Sequence, residues 1–104
     1  MPDRPWKAEE RQVAALFGGT RFPANTGGPV DVETDGFVVQ VKHVKRMALA
    51  ELEALALEIE RIGFQKPVPK IGVVSIKRRA GKKTPRLLIL TEAMWRELHG
   101  GGGA

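Results

Sequence analysis

The sequence predicts one α/β domain, a mixed β-sheet flanked by helices, spanning residues 1–99, with 100–104 as a flexible Gly-rich tail. Three observations lead there. Helical periodicity is clear at 7–17 and 48–62. Short β-rich segments lie between and after those two stretches. The 104 residues contain no internal repeat, and that length supports one modest core. Hydrophobic residues make up 42% of the chain, as in a globular protein. No run approaches the ~20 apolar residues of a membrane span.

The elements follow in the order helix, strand, strand, strand, helix, strand, strand, helix. Residues 7–17 set Trp6, Val13, Leu16 and Phe17 on one face, and Gly18-Gly19 stops the helix. Thr20 to Phe22 reads as a short strand, and Pro23 to Pro29 as a loop of Gly, Pro, Asn and Thr. Residues 30–33 and 37–44 form a hairpin about the favoured turn dipeptide Asp35-Gly36. The helix at 48–62 carries the apolar stripe Leu49, Leu52, Leu55, Ala56, Ile59 and Ile62; Gly63 caps it, and Pro67 and Pro69 mark its exit. Ile71 to Ile76 and Leu87 to Leu90 are apolar runs of buried-strand length, joined by the basic loop 77–85. Thr91 caps a last helix over 92–98.

Composition excludes several functions. Without cysteine there is no disulfide or thiolate metal site, and the chain suits a reducing cytosol. Two histidines, His43 and His99, are too few to build a zinc site by themselves. The first residues lack the apolar stretch of a signal peptide. Lys and Arg total 17 against 12 Asp and Glu, a net charge of +5 that favours a polyanionic partner. The cations cluster. Lys42, His43, Lys45 and Arg46 form one group; Lys77, Arg78, Arg79, Lys82, Lys83 and Arg86 form another with no acid between them, and phosphate contact is the reading favoured for it. The plain alternative is a solvated hairpin tip.

The hairpin also makes a geometric claim. With Asp35 and Gly36 as the loop, Thr34 pairs with Phe37, Glu33 with Val38, Val32 with Val39, and Asp31 with Gln40. Directly paired side chains share a face, and alternation adds Lys42 to it. Phe37, Val39 and Val41 point the other way, into the core. An acid, an amide and an ammonium thus converge, a set suited to phosphodiester hydrolysis. Carboxylate and amide oxygens are hard ligands for Mg²⁺ or Mn²⁺, and a lysine offsets developing negative charge. The plain alternative is the wet face of an antiparallel pair. His43 reads as a structural histidine, and Trp6 and Trp95 as core residues.

Pro29-Val30-Asp31 followed by Gln40-Val41-Lys42 resembles the paired motif of the PD-(D/E)XK nucleases. The short chain and the Glu-Arg of its first helix are most similar to Holliday junction resolvases of phage and archaeal type. The resemblance implies a restriction-endonuclease-like fold and a metal-dependent endodeoxyribonuclease acting on four-way or other branched DNA, in the cytoplasm of a prokaryotic or phage-infected cell. It implies catalytic roles for Glu10, Asp31, Gln40 and Lys42, with Mg²⁺ or Mn²⁺ held by Glu10, Asp31, Gln40 and the Val41 carbonyl. The helical wheel itself does not choose between Glu9 and Glu10. The resemblance implies DNA contacts at Arg11 and at Thr26, in a loop like the family's Pro-Ala-Ser-Gly loop, and the charge clusters add Lys45, Arg46, Lys77, Arg78, Arg79, Lys82, Lys83 and Arg86. Gln40 departs from the family, which carries an acid there in most branches. Two nicks from one site per chain imply a homodimer, with Leu57, Met94, Trp95 and Leu98 as candidate interface residues. The rival readings are a restriction-like or repair nuclease and a catalytically silent nucleic-acid-binding module.

Overall fold

The computed structural model describes residues 5–18, 20, 21, 29–80 and 83–100; no side chain is described at 5, 6, 20 or 21. Thr26, Lys82, the loop at 23–28 and the tail at 101–104 lie outside the described residues, as does the Trp6 side chain. The elements are α1 (Pro5–Phe17), β1 (Thr20–Arg21), β2 (Val32–Glu33), β3 (Phe37–Val44), α2 (Leu49–Phe64), β4 (Ile71–Arg78), β5 (Arg86–Ile89) and α3 (Glu92–Leu98). The five strands form one mixed sheet in the order β1-β2-β3-β4-β5. Only β3 and β4 are parallel, and α2 makes the crossover that a parallel pair requires.

The hairpin register is Val32 to Val39 and Glu33 to Val38, as the turn position predicts. The turn closes through the Thr34 amide on the Phe37 carbonyl at 2.9 Å. The Thr34 hydroxyl accepts from the amides of Gly36 and Phe37 at 3.2 and 3.0 Å. Gly36 does not adopt a positive φ. A serine/threonine-type side-chain turn therefore shapes this loop, rather than the left-handed glycine expected of Asp-Gly.

The sequence reading placed the core on one side of the hairpin; the sheet is in fact covered on both. On one face Val39 and Val32 pack with Val13 and Ala14 of α1, joined by Phe17, Phe37 and Val41. On the other, Val38 and Val74 pack with Ala56 and Ile59 of α2, joined by Leu52, Leu55, Ile62 and Ile89. The crossover is the reason: α2 must lie on the face that α1 does not cover. β4 sits between β3 and β5 and is buried from Gly72 to Ile76.

Two glycines let α2 approach the sheet. Gly63 is not the cap of α2 but a buried residue inside its last turn, and a Cβ there would meet the Lys70 carbonyl. A Cβ on Gly72 would collide with the α2 backbone at Ile59. α3 closes the same side. Met94 is fully buried, its sulfur accepting from the Gly72 amide at 3.5 Å. Thr91 caps α3 by accepting from the Met94 amide at 3.2 Å, and its hydroxyl donates to Glu60. Met94 thus belongs to the monomer core and not to a dimer surface. Trp95 is half exposed, its ring against His99.

The close approach carries a prediction. Gly72→Ala should lower stability by about 2–4 kcal/mol, because backbone rather than a flexible side chain must move. Gly36→Ala, where a Cβ meets nothing within 4 Å, should be neutral or slightly stabilising. Thermal denaturation of the two variants checks this; equal midpoints would contradict the packing described.

Candidate active site

The hairpin ladder ends early, and the site forms where it ends. Asp31 does not pair squarely with Gln40. Its amide donates to the Val39 carbonyl at 2.9 Å, although Val39 is already the partner of Val32. Two residues therefore oppose one, as in a β-bulge. The Asp31 carboxylate then accepts from the Val41 amide at 2.8 Å. Asp31 thus straddles Gln40, bonded to the residue before it and the residue after it. A side-chain oxygen replaces the backbone carbonyl that a continued ladder would have offered Val41. Amide and carbonyl of one strand residue point to the same edge, so the Val41 carbonyl faces the same open edge of β3.

Electrostatics mark Asp31 out. Burial pushes its carboxyl up from 3.8 to about 6; the Glu10 carboxyl, in contact from α1, pushes the same way, while the Val41 amide and the Lys42 ammonium oppose. Burial and a neighbouring acid both disfavour the Asp31 anion, and the Lys42 ammonium works against them.

Neighbouring Glu9 has a different fate. It is 4% exposed and holds Arg86 through two bonds, Nε to Oε2 at 2.6 Å and Nη2 to Oε1 at 3.0 Å. Arg86 also donates to Gln12 at 2.8 Å. The guanidinium keeps the Glu9 carboxyl below the usual range, with Lys77 and His43 adding to the effect. Glu9 therefore ties α1 to β5, and Arg86 is engaged inside the fold rather than held out at a cationic tip. Sequence reasoning missed this pair, since nothing local joins residues 77 positions apart.

Gln40 and Lys42 lie on the α2 face of β3, by alternation from Val38. Gln40 is 7% exposed, and its Oε1 is buried without a hydrogen-bond partner among the described residues. It is thus no part of a wet face. A buried amide oxygen left unbonded costs about 1–3 kcal/mol, the kind of cost tolerated where a ligand completes the set. The Asp31 and Glu10 carboxylates and the Val41 carbonyl are hard oxygens of the kind a divalent cation takes; Gln40 stands on the α2 face, across β3 from the α1 face that brings Glu10 to Asp31. Among the described residues no three His, Cys, Asp or Glu side chains converge.

The remaining candidates scatter. Arg11, Lys45 and Arg46 are exposed; Arg46 flanks a separate apolar groove with Val44, Met47 and Leu52. Lys77, Arg78, Arg79 and Lys83 line a pocket with His43 and Thr84. Glu33, read from the sequence only as the partner of Val38, is gripped by Lys70 and by Lys66 at 3.0 Å and so ties the hairpin to the chain entering β4.

Asp31 has a pH signature. Its folded value lies above its unfolded one, so the folded state binds the extra proton between about pH 4 and 6. Stability from this group falls as pH rises through that window, and the full penalty applies above it. Asp31→Asn keeps an acceptor for Val41 and never ionises. In EDTA near pH 8 it should be more stable than the parent by about 1–2 kcal/mol, a gain that vanishes below about pH 4. Denaturation across that range decides; a gain independent of pH, or a loss at pH 8, would contradict the assigned environment. No family model, curated protein or solved structure gives a significant match to this chain.

Proposed function

We propose that this protein is a metal-dependent DNA endonuclease, resembling the PD-(D/E)XK nucleases and most similar to the small Holliday junction resolvases. The observation that carries the reading is the Asp31 carboxylate, fastened to the Val41 amide, pressed against Glu10 and set astride Gln40. Asp31, Glu10 and the Val41 carbonyl would hold Mg²⁺ or Mn²⁺, and Gln40 would reach the ion only by turning its side chain to the edge of β3. Such an ion lowers the pKa of a bound water and neutralises charge on phosphate oxygens. Asp31 and Glu10 supply the negative charge that recruits it. Lys42, close enough to stabilise the Asp31 anion, offsets the charge that develops on the phosphate. The net charge of +5 suits a DNA partner. Branched DNA and a homodimer complete the proposal: two symmetric nicks need two copies of one site, and Leu57, Trp95 and Leu98 are half exposed and apolar.

One observation favours a second reading, a silent DNA-binding module. Gln40 leaves the site one acid short of the usual set. Labelled four-way junction and linear duplex, each with and without Mg²⁺, separate the two. The expected result is Mg²⁺-dependent cleavage of the junction, lost by at least about 100-fold in Asp31→Asn with binding retained, and a dimer mass for the complex by light scattering. A parent that binds but does not cut, with Gln40→Glu gaining cleavage, would establish the second reading. Cleavage by Asp31→Asn at the parental rate would remove Asp31 from the site.

A further inference from the structure

From the pocket at the far end of β3 and β4, we infer a dedicated subsite for a second phosphate of the bound strand, separate from the phosphate being cut. The pocket holds about 330 Å³ and is lined by His43, Lys77, Arg78, Arg79, Lys83 and Thr84. Four of these are Lys or Arg and none is an acid. None of the four cations forms a salt bridge among the described residues. The acid nearest in charge effect, Glu9, is already neutralised by Arg86.

The fold shapes the pocket. His43 and Lys77 are direct partners across the parallel β3/β4 pair. The Arg79 amide continues the pairing onto the Val44 carbonyl at 2.7 Å, beyond the end of β4. Buried Thr84 donates its hydroxyl to the Arg78 carbonyl at 2.7 Å and pins the returning chain. Two separate stretches, 77–79 and 83, thus hold positive charge around one concavity floored by His43, where mutual repulsion would otherwise spread it.

Its place farther along β3 from Val41, whose amide holds Asp31, points to the occupant. His43 lies two residues beyond Val41 on the same face of β3, about 6.6 Å along the strand. A nucleic-acid strand advances about 3.4 Å per nucleotide. A strand with one phosphate at Asp31 would set another over the pocket one or two nucleotides away. The inference rests on the nuclease reading for that register; anion binding by the pocket itself does not.

The test uses the whole protein in EDTA, where no metal-dependent step runs. A fluorescent single-stranded oligonucleotide and a duplex are titrated across a salt series. Arg79→Ala/Lys83→Ala, both exposed positions, should weaken binding about 10–100-fold and reduce the slope of log affinity on log salt by about 1.4–1.8. Arg79→Lys/Lys83→Arg should keep the parental slope, as should Arg61→Ala on α2. Inorganic tripolyphosphate should compete with the oligonucleotide for the parent far better than for the alanine variant. An alanine variant with the parental slope would overturn the subsite even if the protein cuts DNA. A lowered slope in a protein that never cuts would leave the pocket standing and remove the nuclease reading. Displacement by poly-glutamate as effective as by tripolyphosphate would also overturn it, reassigning the pocket to acidic peptides.

Discussion

The parallel pairing of β3 with β4 is the constraint on which the rest of this small fold depends. A parallel partner cannot be reached by a tight turn, so sixteen residues of α2 must cross over the sheet. That crossover covers the face α1 leaves open. It buries Val38 and Val74 against Ala56 and Ile59 and demands glycine at 63 and 72. It also carries Gln40 out of solvent. A polar residue of an antiparallel ribbon would have stayed wet; here it stands in the central layer with no partner for its amide oxygen among the described residues.

The second consequence falls on the β2 edge. β2 pairs with β3 over two residues only, and Asp31 bulges so that its carboxylate takes up the next β3 amide. The acid is thereby held by backbone, not by a rotamer alone, and α1 brings Glu10 against it. Adjacent residues of one helix turn diverge in role: Glu10 meets Asp31, while Glu9 anchors α1 to β5 through Arg86. The repulsion between Asp31 and Glu10 is a local instability that a cation would relieve. The stability lost there is offset by packing elsewhere, notably at Ile59, Met94 and Val13, which have no exposed surface.

Much of this was legible in the amino acids. The helix and strand order, the hairpin register about Asp35-Gly36 and the Thr91 cap follow from periodicity and turn chemistry, which are local. The two-sided burial of β3 was legible too, since Val38 and Val44 break the alternation with apolar residues on the supposedly wet face, the pattern of a parallel strand. The Asp31 bulge was not, because it depends on where a neighbouring strand stops. Nor was the division between Glu9 and Glu10: both flank the apolar face of the helical wheel, and Arg86 across the sheet decides between them. Gly63 misled for a similar reason. Its position near a helix end suggests a cap, while its actual role is to let the Lys70 backbone pass.

On the proposed reading a divalent cation would bind at the open edge of β3 at Val41, beside Asp31 and Glu10. The most direct measurement is paramagnetic broadening of amide resonances by substoichiometric Mn²⁺. The Val41, Asp31 and Glu10 signals are expected to broaden first, and Asp31→Asn to abolish the effect. Broadening centred elsewhere, or unchanged in that variant, would contradict that reading.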